Sequence, residues 1–116
     1  GSFDHFFLCH CSRCRKGSGT AHASNLFSSD AQLVWLQGES LVQSFTVEGT
    51  RFTRSFCTVC GAGLPTVAAN GRLKVPAGSL ETPVLLRPEA HIFAGSRAGW
   101  DDHLEDVPSY AERPAG

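Results

Sequence analysis

The chain has 116 residues, which suits one domain with a single core. Its 10 Lys and Arg stand against 11 Asp and Glu, so it lacks the broad positive field that a phosphate backbone demands, and no nucleic-acid partner is expected. No apolar run approaches the roughly 20 residues that span a bilayer, and the opening "GSFDHFF" has neither a basic flank nor a cleavable apolar stretch, so a soluble, cytoplasmic protein without a membrane partner is expected.

Helical periodicity is weak, whereas short β-branched and aromatic runs recur between Gly, Asn, Ser and Pro. The pattern predicts a mainly β, single-domain fold with strands over residues 6–11, 19–27, 33–37, 41–47, 51–57, 64–69, 72–75 and 90–93. "LQGES" and "VEGT" place a Gly where a hairpin needs positive φ, and Asn70-Gly71 is the strongest hairpin dipeptide, so successive strands are expected to be antiparallel neighbours. Phe7, Phe27, Trp35, Phe45, Phe52, Phe56 and Phe93 fall in these runs and are expected in the core. After Ser79, prolines interrupt any ladder and "DDHLEDVPSYAERPAG" is acidic, which predicts a peripheral strap with Trp100 at a rim.

The chemistry lies in the cysteines. There are five, an odd number at spacings too tight for a secreted disulfide framework, and paired short spacings suit a metal, zinc first. In "CHCSRCRKG", Cys9 and Cys11 point to one face of an extended segment while His10 points away, and Cys14 follows at the spacing that a tight turn folds around an ion. Three thiolates leave the fourth position of a zinc ion open to water or substrate. Cys57 and Cys60, in "FCTVCG", form a second knuckle with Gly61 supplying backbone freedom. Its remaining ligands are open: a shared site from Cys11, Cys14, Cys57 and Cys60 is one arrangement, and a cysteine pair missing from this chain is the other. Arg13, Arg15 and Lys16 flank the first cluster and are candidates for holding the carboxylates of a substrate. The isolated His22, His91 and His103 read as structural rather than ligating.

"CHCSRCRKGSGTAHASNLF", followed by "WLQGE", "RSFCTVCGAGL", "VPAGSLETP" and "HIF", resembles the glutathione-dependent formaldehyde-activating enzyme family, which includes the centromere protein V type. The resemblance implies an antiparallel β-tent over residues 3–116 and an open zinc site from Cys9, Cys11 and Cys14 that handles a thiol adduct. It also implies a structural zinc that uses Cys57 and Cys60. Members usually begin with a further C-x-C-G strand that completes the structural zinc, and residues 1–8 do not contain it.

The expected function is therefore that of a zinc-dependent carbon–sulfur lyase acting on an adduct of a small thiol and a small aldehyde. The family reaction it resembles is the reversible formation of S-hydroxymethylglutathione from glutathione and formaldehyde. The alternative is a non-catalytic, zinc-stabilised binding module in which every cysteine serves the fold.

Overall fold

The computed structural model describes residues 1–114 and consists of two sheets and one short helix. Five strands form the larger sheet: β1 (His5–Cys9), β2 (Ala23–Ser28), β6 (Thr66–Val67), β7 (Leu73–Pro76) and β8 (Ala90–Ile92). Their order is β6-β7-β2-β1-β8. The smaller sheet has the order β3-β4-β5, from Val42–Thr46, Thr53–Cys57 and Gly63–Leu64. All pairings are antiparallel except that of β8, which runs parallel along β1.

The register of the larger sheet determines which side chains share a face. Phe6 lies opposite Leu26, and Leu26 opposite Val75, so these three point to one side. Leu26 (0% exposed), Leu73 and Val75 form the buried core there, with Phe3, Phe6, Ala31, Leu33, Ala77 and Val84 packed around them. Strand alternation sends Phe7, Cys9, Asn25, Phe27 and Lys74 to the other side.

The core is aliphatic, which corrects the expectation from the aromatic runs. Phe7, Phe27, Trp35, Phe52 and Phe56 are only half-buried, and Phe45 and Phe93 are 61% and 64% exposed. Phe7 and Phe27, with ring centroids 6.1 Å apart, lie on the opposite face from Leu26 because each is one residue out of phase with a core position.

Residues 33–37 form no strand, although their burial alternates. Both edges of β2 are taken, by β1 and β7, so this segment cannot pair with the strand it follows; Leu33 packs on the core while Val34 and Leu36 face solvent. The expected strand over 64–69 is divided by Pro65, which has no N–H to donate. Its halves belong to different sheets, so Pro65 is where the chain crosses from one to the other.

The expected strands over 6–11 and 19–27 are both shorter, because the stretch between them is helical rather than a tight turn. Helix α1 (Ser12–Ser18) begins at Cys11, whose extended backbone (φ −62°, ψ 157°) and Sγ cap the Cys14 N–H at 3.4 Å. It ends at Gly19, in the left-handed region at φ 70°, whose N–H donates to Arg15 O at 2.7 Å. Ser18 Oγ donates to the Cys14 carbonyl at 2.8 Å and closes the last turn.

The two sheets enclose a cleft. Its wall on the smaller sheet is a hydroxyl ladder: Ser44 and Ser55 are joined at 2.8 Å, Thr46 and Thr53 at 2.8 Å, and Thr66 reaches Ser55 at 2.8 Å. The chain exposes 8624 Å² of surface. A closed monomer of 12.4 kDa would expose about 6,100 Å², and the segment from residue 80 to 114, exposed at nearly every position, contributes to the excess.

Candidate metal centre and its cleft

Cys9, Cys11 and Cys14 converge. Cys9 ends β1 on the cleft face, Cys11 caps the helix, and Cys14 is buried one turn in, which places the three sulfurs within 4.8 Å of one another. Burial opposes ionisation of Cys11, but the Cys14 N–H and the neighbouring thiols outweigh it and hold this thiol below its ordinary range. Cys14 goes the other way: burial, and then hydrogen bonding with Cys9 and Cys11 and their charge, push it well up. Three clustered sulfurs therefore resist ionising together unless a cation sits among them. A soft donor set at this spacing fits a divalent metal, and Cys9, Cys11 and Cys14 all line the cleft.

Cys57 and Cys60 lie at the end of β4 and in the turn after it, and they belong to no group of three candidate ligands among the described residues. Gly61 turns the chain at φ 75°, and its N–H donates to Cys57 O at 2.8 Å. The N–H groups of Cys60 and Val59, followed by the Cys60 side chain, hold the Cys57 thiol below its ordinary range. Cys60 is exposed and Cys14 is buried. In metal-free protein, mass-mapped alkylation by iodoacetamide is expected to label Cys57 and Cys60 at least about tenfold faster than Cys14. Equal rates would show that the helix does not shield its thiol.

His10 lies on the other side of β1 from the sulfurs and is 2% exposed. Its Nε2 is 2.8 Å from His91 Nδ1. Its Nδ1 is 3.1 Å from Asp101 Oδ2, out of line for a hydrogen bond. The His22 ring stands 5.0 Å away, and its pKa is lowered, first by burial and then by the two neighbouring imidazoles. His22 and His91 are thus brought together around His10, whereas His103 is exposed beside Asp102 at 3.5 Å. No spacing in the sequence announces Asp101 as the partner of His10.

The cleft comprises a larger cavity of ≈ 1310 Å³ and an adjoining one of ≈ 500 Å³. Cys14 and Lys74 line both. Arg13, Arg51, Arg72 and Lys74 line the larger, Arg54 and Lys74 the smaller, and no Asp or Glu among the described residues lines either. Of the basic residues singled out from sequence, only Arg13 reaches the cleft. Arg15 Nε donates to Ser96 O at 3.1 Å, and Lys16 is exposed outside it. Sequence reading missed Arg51, Arg54, Arg72 and Lys74; the available signal was the alternation in "RLKV", where Arg72 and Lys74 share a face while Leu73 and Val75 enter the core.

No helix among the described residues is long and apolar enough to cross a membrane. No curated protein gives a significant match. The thiol triad on a strand-to-helix turn, opening into a cleft between two mainly antiparallel sheets, agrees with what sequence comparison finds: residues 3–96 match the family described as glutathione-dependent formaldehyde-activating enzyme, and the chain belongs to that family.

Proposed function

We propose that the protein is a zinc-dependent carbon–sulfur lyase that makes and breaks the adduct of glutathione, or a similar small thiol, with formaldehyde or a similar small aldehyde. The observation that carries this reading is the convergence of Cys9, Cys11 and Cys14 at the wall of an open cleft in a member of this family. In the forward direction the substrate sulfur bonds to the aldehyde carbon, the carbonyl π pair moves to oxygen, and the proton lost by the thiol ends on that oxygen. The reverse step returns thiol and aldehyde. Cys9, Cys11 and Cys14 would hold the metal, which when bound lowers the pKa of a thiol or polarises a carbonyl oxygen. The cleft walls bring the two reactants together and orient them, and cations on those walls favour the thiolate. Five free cysteines suit a reducing compartment, so a cytoplasmic location is part of the same reading.

The test is glutathione-dependent consumption of formaldehyde by protein of measured zinc content. About one zinc per chain is expected, because Cys57 and Cys60 supply two ligands and lie outside the triad. Zinc-loaded protein with no such turnover would favour the binding module. The basic residues near the triad divide by position: Arg13→Ala is expected to raise KM severalfold, since Arg13 lines the cleft, while Arg15→Ala loosens the contact with Ser96 and leaves KM within about twofold. A larger KM effect at Arg15 would reverse this assignment.

A further inference from the structure

The charges on the cleft do not match the composition of the chain. The protein has one more acidic than basic side chain, yet among the described residues every formally charged group on the walls of both cavities is a Lys or Arg. None of Arg13, Arg51, Arg54, Arg72 or Lys74 lies within 4.0 Å of a described carboxylate; the ion pairs involve His5, His10, Arg97 and His103 instead. Three of these cations rest on aromatic rings: Arg72 over Phe27 at 4.5 Å, Lys74 over Phe52 at 5.3 Å and Arg54 over Phe56 at 5.9 Å. Such stacking fixes a side chain and leaves its outer N–H groups free.

Lys74 is the most constrained of the five. Alternation along β7 aims it into the cleft on the same face as Cys9, and it stands on the wall common to both cavities. One of its three N–H donors goes to the neutral Thr53 carbonyl at 2.7 Å. The half-buried ammonium is thus hydrogen-bonded but has no described carboxylate for a partner, a state that favours capture of one. Its pKa is lowered, chiefly by burial and against the opposing charge of the triad thiols.

We propose that the cleft selects thiols that carry carboxylates, and that Lys74 is the specificity-determining residue that binds one of them, with Arg72 and Arg54 placed on either side for a second. This rests on the thiol–aldehyde reading for the identity of the substrate class, but not for the anion site itself. It adds, to Arg13 on the helix beside the triad, an anchor on the sheet face that also carries Cys9.

The test uses the zinc-loaded full chain and S-methylglutathione, a thioether with no thiol proton to lose, measured by calorimetry beside its dimethyl ester. The diacid is expected to bind at least about tenfold more tightly than the ester, with the difference shrinking as salt rises from 0.05 to about 0.3 M. Lys74→Met should weaken the diacid about tenfold or more, Lys74→Arg should restore part of that loss, and the exposed Arg87→Ala should change nothing. Equal affinity for diacid and ester in the unmodified protein overturns the proposal without any variant having to fold, as does failure of the diacid to bind. If Lys74 merely offsets the charge of the thiolates, Lys74→Met will lose zinc while diacid and ester still bind alike, and that result also overturns it. Adduct formation at equal rates with glutathione and its diester would remove the carboxylate selectivity and leave the lyase reading standing. Diacid-selective binding without turnover would do the reverse.

Discussion

Cys14→Ser is expected to abolish stoichiometric zinc retention and to lower the melting temperature by about 10 °C. Cys14 is the buried member of the triad, and a serine hydroxyl in its place neither ionises nor offers a soft donor. Metal held by sulfurs from the end of β1 and from α1 adds its binding free energy to folding, about 3 kcal/mol or more once the ion is two to three orders of magnitude above its Kd. At roughly 3–6 °C per kcal/mol for a domain of this size, that sum sets the scale of the shift. Metal analysis and paired melts with and without a chelator check it: the unmodified protein should lose the same increment on chelation, and the variant should lose no more. Cys57→Ser should keep its zinc. Loss of all metal from Cys57→Ser would instead place the ion between the two cysteine clusters.

Leu26→Ala should destabilise the protein by about 3–4 kcal/mol, read as a fall in the urea midpoint at constant slope. Leu26 is fully buried on β2, with Phe6 opposite on β1 and Val75 opposite on β7, so no neighbour is free to refill the space. Few other buried apolar side chains share the load, and the total stability of a small domain is commonly 5–15 kcal/mol, so this one truncation removes a large part of it. Leu36→Ala, at a position 93% exposed, should shift stability by less than about 0.5 kcal/mol. A cost below 1 kcal/mol for Leu26→Ala would mean that the larger sheet does not depend on this packing.

The strands that could be read from the sequence are those whose pattern is set by local turns. β3 and β4 were bracketed by glycines, and β7 follows Asn70-Gly71, which closes its hairpin with β6. What was not legible depended on partners far away in the chain. Residues 33–37 have the composition of a strand, but both sides of β2 were already paired, and no local feature reveals that. The helix was hidden because its seven residues are too few to show a period, and its start is capped by a cysteine rather than by Ser, Thr, Asp or Asn. At the site, the spacing of Cys9, Cys11 and Cys14 carried the triad, since all three lie within six consecutive residues. Lys74 and Arg54 could not be found this way, because only the pairing of β7 with β2 and the fold of the second sheet against it bring them to the same cleft.

The parallel strand β8 has a bearing on the order in which the molecule assembles. Its ladder joins Phe7 to Ala90 and Cys9 to Ile92, the longest loop closed by any pairing in either sheet, for only three residue pairs. Every antiparallel pairing closes a shorter loop, so the entropy of chain closure delays β8 relative to them. The triad depends only on the contiguous segment from Cys9 to Cys14, which can form before that closure. Its far wall cannot: Ile92 and Phe93 reach the cleft through β8, and Asp101 reaches His10 beyond it. A newly made chain can therefore complete its thiol cluster while the last side of the cavity is still being synthesised.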